Sequence, residues 1–589
     1  MDINNLRMGA LGADALPVFD GYDVPVDLED GKLVVTARPS DTTRMRMVPN
    51  ARHSRNDDKW RMPATPAQIA VLRGIFNGKL EWSEDAKTLG RRVERWMAHQ
   101  AMIREMGPRR EFDLAEHLFD FQRTGVAFLL NAGSALLGDQ MGTGKTIQAI
   151  EWMRQLDQID HHLVVCPNSM KHKWASEVKK FWPEAEPVVI DGSAAKRRKA
   201  IDDGRSSLVP LVYIINYESL ATHTKFKAWG GKTLTPKQRE AKEFNDFEWR
   251  CVVLDEAHKI KGHGNNRTMA AKQMGAQARH RLALTGTPLV NNPDDLHSIM
   301  EFVMPDEYGS LTQFRNRWCD TRTGWHGGLE NLGLRPARRD EFDSFFMPRF
   351  IRRTLTEVVE DMPEKLPTEY RMCQMDSSQK KIYRTLLDEL FAVIDNEVLV
   401  APNPLALTIR LRQAASATPV IEDGEVVALG KKSSKLTAIQ EIMEEDPGQP
   451  VVVYAESRKL LEFFQREMEA DGLTVGMVTG KIGTELRQRY VDAFQDGQLD
   501  VMLINDAGAE GLTLTKATTI ILAQQSWSHA INEQVIFRIW RIGQTERVRP
   551  IVLVSEGTID EVVVGVDIDK EGRMEDVVRD AVRQAKEIR

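Results

Sequence analysis

The chain has 589 residues, enough for two to four domains, and its 42% hydrophobic and 28% charged content points to a water-soluble globular protein. No run of eighteen apolar residues argues for a membrane span, and the N-terminal residues lack the basic-then-apolar pattern of a secretory signal. A net charge of −7 excludes a surface coated in positive charge but not a local basic groove, and four scattered cysteines with no Cys-x-x-Cys pair exclude a zinc ribbon or a disulfide framework.

Residues 1–110 read as an accessory module. A strand is expected from Gly31 to Ala37, a second strand and turn between Met45 and Pro63, and a helix from Pro66 to Phe76. Between residues 41 and 61 lie Arg44, Arg46, Arg52, Arg55, Lys59 and Arg61 around Trp60. A basic stretch with an embedded aromatic can track phosphates and stack a base; a solvated surface with one packing tryptophan fits the composition equally well. Residues 85–105 read as a charged helix.

From residue 111 to about 305 the pattern alternates helix and strand. Continuous apolar runs at Leu163–Cys166, Leu211–Ile215, Cys251–Leu254 and Leu282–Leu284 predict strands buried on both faces, as in a parallel α/β sheet. The stretch Gly142-Thr143-Gly144-Lys145-Thr146 follows the apolar pair Leu136-Leu137 and opens an apolar-periodic segment. Two glycines let the backbone turn so that several N–H groups converge on one phosphate; Lys145 would reach the β- and γ-phosphates and the Thr146 hydroxyl would hold Mg²⁺. The strict phosphate-loop pattern would need glycine where Asp139 stands. Some 110 residues later an apolar run ends in Asp255-Glu256-Ala257-His258. Asp255 is placed to hold Mg²⁺ and Glu256 to orient and deprotonate the attacking water. Thr285-Gly286-Thr287-Pro288 ends another strand, where its hydroxyls can reach these carboxylates.

Residues 306 to about 435 read as mostly helical and irregular, and a second alternating set follows. Its strands are expected at Val451–Tyr454, Val475–Val478, Val501–Ile504, Thr519–Leu522 and Ile551–Val554, with helices at Lys459–Glu469 and Glu485–Asp496. Arg538 and Arg541, three apart, fall on one face if residues 534–544 are helical, and could act as arginine fingers on a γ-phosphate. Asp567–Arg589 reads as a charged helix. The predicted fold class is α/β: two parallel-sheet lobes in tandem with a small N-terminal α+β module, divided as 1–110, 111–360, a helical linking segment 361–435, and 436–589.

These motifs are collinear, and residues 111–589 resemble the Swi/Snf-type ATPases of helicase superfamily 2. Leu118–Val126 with Gln122 is similar to the family's adenine-side motif, and Asp139–Thr146 to its phosphate loop. Val165–Ser169 with Trp174, then Asn216-Tyr217-Glu218, fall where the family's nucleic-acid segments belong. Asp255–His258 has the DEAH form; Leu284–Pro288, the paired Arg352-Arg353, Gly508–Leu512, Gln534–Gln544 and Gly557–Glu561 follow in order. Trp527-Ser528-His529, Trp540 and Thr513 depart from common family residues without removing a phosphate, metal or water ligand.

The resemblance implies two RecA-like lobes with ATP and Mg²⁺ in the cleft between them. It adds Gly511 and Gln534 to the nucleotide-side residues. It also implies nucleic-acid contacts at Lys171, Lys173, Trp174, Asn216, Lys259 and Ser457, with double-stranded or forked DNA as partner and no membrane. The segment from Val48 to Pro63, with Gly327–Leu332, is similar to the HARP-like module of annealing helicases. The expected activity is a DNA-dependent ATPase that translocates on duplex DNA in replication, repair or recombination. A strand-separating DNA or RNA helicase, a clamp that binds ATP without hydrolysing it, and the motor subunit of a larger assembly are the alternatives. A monomer is expected, and economy of length points to a bacterial or phage-infected cytoplasm rather than a nucleus.

Overall fold

The computed structural model describes residues 21–569, except 108–113, 157–159, 205–206, 225–243, 245–246, 263, 287–292, 306, 324–328, 390, 395–396, 401–403, 423–424, 431–432, 481 and 510. The expected charged helix at 567–589 therefore lies almost wholly outside the described residues, as do Thr287, Pro288, Gly327 and Gly328. The chain divides into two compact units, residues 1–140 with 144–354, and residues 355–589 with 141–143.

The first unit opens with a five-stranded sheet built from β1 (Val24–Glu29), β2 (Lys32–Val35), β3 (Arg52–Ser54), β4 (Lys59–Pro63) and β5 (Leu80–Trp82), in the order β3-β4-β2-β1-β5. Helices α1 (Pro66–Ile75) and α2 (Glu84–Met106) pack with it. Ser83 caps α2 by accepting from Ala86 N, with Glu84 and Asp85 in the first turn where the helix dipole favours acids. Trp60 is buried, while Lys59 pairs with Glu29 and Arg61 with both Glu29 and Asp57. In this segment Trp60 therefore packs in the core and offers no ring face to a base. Of its basic residues, Arg46, Arg52 and Arg55 remain exposed.

The main sheet of this unit has seven parallel strands: β6 (Ala135–Leu137), β7 (His161–Cys166), β8 (Glu186–Val189), β9 (Leu211–Asn216), β10 (Trp249–Leu254), β11 (Ala278–Leu284) and β12 (Phe350–Ile351). Their order is β12-β6-β11-β10-β7-β9-β8. Alternate residues of each strand enter separate cores: Val252 and Leu254 face one, Cys251 and Val253 the other. Burial on both faces is why these strands read as unbroken apolar runs. One of the two cores runs on without a break into the N-terminal sheet, joining Val24, Trp60 and Phe76 to Leu163, Val252 and Ala283. Gln68, fully buried, donates to Pro49 O at 3.2 Å and to Glu307 O at 3.5 Å across that junction.

The second unit contains a six-stranded parallel sheet of β13 (Glu369–Cys373), β14 (Val451–Ala455), β15 (Val475–Val478), β16 (Val501–Ile504), β17 (Thr519–Gln524) and β18 (Arg549–Ser555), in the order β13-β18-β17-β14-β16-β15. Strand β13 comes from the stretch expected to be helical. That stretch also pairs Phe391–Ile394 with Glu397–Val400, and Pro419–Glu422 with Glu425–Leu429, as antiparallel ribbons. The alternation of Glu369 and Arg371 with Tyr370 and Met372 lacks the fully apolar character of the inner strands, because β13 lies at the sheet's edge.

Candidate nucleotide site

The loops that follow neighbouring strands β6, β11, β10 and β7 all leave the same edge of the sheet, the carboxyl end where ligands bind in open parallel sheets. After β6 the backbone takes the left-handed region at Gly142 (φ 84°) and Gly144 (φ 77°), then enters helix α3 (Lys145–Leu156). Side chains disfavour these conformations, so glycine is required at both turns. A Cβ on Gly144 would also lie 2.5 Å from Gln122 Nε2, which places the Gln122 amide against the loop. Gln122 Oε1 meanwhile accepts from Phe119 N at 3.1 Å, capping the helix Asp120–Ala132. Thr143 is buried, Thr146 half-buried in the first turn of α3, and the Lys145 ammonium donates to Asp139 O at 2.8 Å and Gln140 O at 3.1 Å.

After β10 come the two carboxylates. Asp255 is buried; its Oδ2 accepts from Trp174 Nε1 at 2.8 Å, its Oδ1 from Glu256 N at 3.0 Å, and its carbonyl from the Tyr217 hydroxyl at 2.7 Å. Burial, with the Glu256 carboxylate beside it, pushes the Asp255 carboxyl up to about 6, against the lowering effect of Trp174 and Lys145. Glu256 sits at φ 51°, a left-handed conformation that costs energy for a residue with a Cβ, and its carboxylate lies 3.3 Å from His258 Nδ1. A cation beside Asp255 would relieve both the burial cost and the repulsion of the like-charged neighbour. Mg²⁺ uses few protein ligands and keeps water and phosphate oxygens, so the Thr146 hydroxyl and Asp255 fit it, although the described residues hold no group of three or more acidic, histidine or cysteine ligands. On the turn after β11, Thr285 N donates to Leu137 O at 3.1 Å, seating that turn beside the start of loop 138–144.

Two residues expected to contact nucleic acid are corrected. Trp174 is fully buried and its indole N–H is used by Asp255, so its face is not available to a base. Lys171 is 2% exposed and pairs with Asp191 at 3.0 Å, so its charge is already matched within the fold. Lys173 and Lys259 are half-buried. Asn216 donates to Glu218 Oε2 at 2.9 Å, and Ser457 begins the helix Arg458–Ala470 with its backbone N–H on Gln524 Oε1. The sequence reading missed Tyr217 as a holder of Asp255; an aromatic after a buried strand carries no signal that tells such a tether from plain packing.

The second unit holds Gly511, Gln534, Arg538 and Arg541. The expected helix over 534–544 ends at Ile536, and Arg538 and Arg541 lie on the turns that follow, so a shared helix face is corrected to a folded-back loop. Gln544 explains the fold-back: its amide donates to Ala517 O at 2.9 Å and Ile539 O at 3.2 Å, while its carbonyl accepts from Thr545 N and Glu546 N. Arg541 Nη1 donates to Leu512 O at 3.0 Å and Leu514 N to Arg538 O at 2.9 Å, tying this loop to the left-handed turn at Gly511 (φ 76°). Gln534 is half-buried on the helix His529–Ile536.

A profile of the SNF2-related domain matches residues 96–419, and one of the helicase conserved C-terminal domain matches residues 434–543. The chain belongs to the SNF2-related family. It has the domain architecture of that family's ATP-hydrolysing, helicase-type enzymes. Among its relatives is the chromodomain-helicase-DNA-binding protein 8 of Xenopus tropicalis, 25% identical over 490 residues that cover 77% of this chain and 21% of that protein. The DNA excision repair protein ERCC-6 of Homo sapiens is 24% identical over 515 residues, 79% of this chain and 33% of that protein. The chain thus spans a fifth to a third of the length of these relatives. A solved Sulfolobus solfataricus SWI2/SNF2 ATPase core in complex with dsDNA shares 24% identity over 79% of this chain and 97% of that one, at a TM-score of 0.36, too loose a likeness to carry an argument. The relatives correct the expected bacterial or phage cytoplasm: they are eukaryotic proteins named for chromatin and DNA repair, and economy of length is no guide to compartment.

Proposed function

We propose that this SNF2-family chain is an ATP-driven DNA translocase that moves along duplex DNA to remodel DNA structures or displace bound proteins. The observation that carries this reading is the meeting, at one sheet edge, of a glycine-turned loop bearing Lys145 and Thr146 with the buried, cation-seeking Asp255 and its neighbour Glu256. In this reading Lys145 leaves the loop carbonyls for the β- and γ-phosphates. Thr146 and Asp255 would hold Mg²⁺, which would supply positive charge beside the phosphates. Glu256 orients and deprotonates the attacking water, and Arg538 and Arg541 act on the γ-phosphate. Asp255–His258 serves as a DEAH box, and the chain works as a monomer. The relatives' names, which refer to DNA binding and DNA excision repair, support DNA as the track. The HARP-like reading of residues 48–63 is supported by the exposed Arg52 and Arg55, which would meet phosphates at a fork.

The test is ATP turnover alone and with duplex, forked and single-stranded DNA and RNA. Stimulation by duplex or forked DNA is expected. Stimulation by RNA alone would replace this reading with that of an RNA helicase. Arg52→Ala with Arg55→Ala should remove any preference for forks while leaving duplex stimulation; an unchanged preference would refute the HARP-like role.

A further inference from the structure

Arg353 lies immediately before the point, after Thr354, where the chain passes from the first unit into the second. Its side chain reaches back to the start of the phosphate loop. Arg353 Nε donates to Asp139 Oδ1 at 3.0 Å and Nη2 to Asp139 Oδ2 at 2.5 Å, a two-pronged contact with a carboxylate that is completely buried. Nη1 donates to Phe121 O at 2.5 Å, Nη2 also reaches Gln148 Oε1 at 3.2 Å, and the guanidinium lies 5.4 Å from the Phe121 ring. Gln148 Nε2 in turn donates to Asp139 Oδ2 at 3.3 Å. One guanidinium therefore links the segment bearing Gln122, the entry of the loop and the first turns of the helix behind it.

The backbones agree with this. Gly138 N donates to Ile351 O and Gln140 N to Arg353 O, each at 2.8 Å, so residues 351–353 run alongside the loop's first residues. Behind this segment, Gln100 Nε2 and Arg104 Nη2 of α2 donate to Pro348 O and Phe350 O at 2.8 and 2.5 Å. Space has been kept for this cluster as well: a Cβ on Gly125 would lie 2.0 Å from Gln148 Oε1 and 2.7 Å from Arg353 Nη2. An isolated aspartate at the root of a phosphate loop would repel the nucleotide and bear a heavy desolvation cost; with a guanidinium locked on both oxygens it becomes a rigid anchor.

We infer that Arg353 is a positioning residue for nucleotide binding: through Asp139 it holds the phosphate loop in its receiving conformation, and so ties that loop to the segment that leads into the second unit. The inference rests on the reading of residues 138–146 as the nucleotide loop, and the experiment separates the two.

Binding of Mg²⁺-ADP to the full chain is measured by calorimetry, with melting temperature and steady-state kinetics alongside, for wild type, Lys145→Ala, Arg353→Gln, Arg353→Lys, Asp139→Asn and the Arg353→Gln/Asp139→Asn double variant. Arg353→Gln is expected to weaken ADP binding by about tenfold or more, the scale of one lost charge-assisted hydrogen bond to a charged group, and to raise KM for ATP more than it lowers kcat. Arg353→Lys keeps the charge without the fork and should recover part of the loss. The double variant should bind about as well as the worse single variant, because both remove one contact. If Arg353→Gln does not fold, Arg353→Lys and Gly125→Ala give the answer, both losing affinity. A folded Arg353→Gln that binds ADP like wild type, or losses that multiply in the double variant, would overturn the inference. Failure of wild type itself to bind ADP would instead overturn the nucleotide-loop reading.

Discussion

After Leu137 the first unit's sheet hands the chain to loop 138–144, with two left-handed glycines, before a helix begins; after Ala455 the second unit's sheet allows only Glu456 and Ser457 before the helix Arg458–Ala470. The sheets are alike in their parallel strands and doubly buried faces, so the difference in chemistry lies in these connections. Buried charge is also handled in two ways in the molecule. In the second unit Lys435 is fully buried, with its ammonium 2.6 Å from Asp560 Oδ2 and 2.7 Å from Ala523 O. Asp560 also accepts from Ser555 N, so this pair is closed on itself. In the first unit Asp255 and Glu256 stand side by side as like charges, and burial raises the proton affinity of Asp255. The Lys435–Asp560 pair is neutralised within the fold, whereas Asp255 keeps a like-charged neighbour whose repulsion a bound cation would relieve.

That contrast can be broken experimentally, beginning with the largest effect. Lys145→Ala should reduce ATP turnover by about 10³-fold or more, read by phosphate release, while duplex DNA binding in a gel-shift assay stays close to wild type. Arg541→Ala should lower DNA-stimulated turnover by about 10³-fold if it acts as a finger, with ADP affinity retained. Trp174→Phe removes the N–H that holds Asp255 but keeps the packing; the Mg²⁺ dependence of nucleotide binding should weaken by about 10- to 100-fold, as for other outer-shell partners of a metal ligand. Proton linkage should appear at the same carboxylate. Mg²⁺ needs the ionised form and the ligand-free Asp255 carboxyl is raised to about 6, so lowering pH through that value sets a proton against the metal. Apparent Mg²⁺ affinity should then fall by up to about tenfold per pH unit below about 6 and be flat above about 7, with proton release on binding in calorimetry. Lys435→Met is expected to have the smallest effect on the nucleotide loop, leaving ADP affinity unchanged, although leaving Asp560 unpaired should cost the second unit about 3–5 kcal/mol in denaturant unfolding.

The parallel strands are legible in the sequence because burial on two faces writes itself as unbroken apolar runs. In β10 that run is Cys251-Val252-Val253-Leu254, where the fully buried Cys251 packs as a small hydrophobe. The glycine-turned loop before the helix and the adjacent carboxylates are legible because each is local in sequence. What cannot be read there is set by distant partners. Trp174, close behind Lys171 and Lys173, has the pattern of a base-stacking aromatic, and only the fold shows its N–H on Asp255, 81 residues away. The Asp139–Arg353 pair spans 214 residues, so neither side chain announces the other. Arg538 and Arg541 have helical spacing, but Gln544 folds the backbone after Ile536 into turns. Strand β13 escapes notice because an edge strand carries the mixed polarity that is also typical of a linking segment.

The most direct test of ATP-driven translocation on DNA is the rate of ATP hydrolysis by the full chain with Mg²⁺, measured for wild type and Glu256→Gln, with and without duplex DNA. Duplex DNA is expected to accelerate the wild type, and Glu256→Gln to bind ATP without turning it over in either condition. Wild-type turnover by Glu256→Gln, or a wild type that duplex DNA leaves unchanged while RNA accelerates it, would contradict the proposed mechanism.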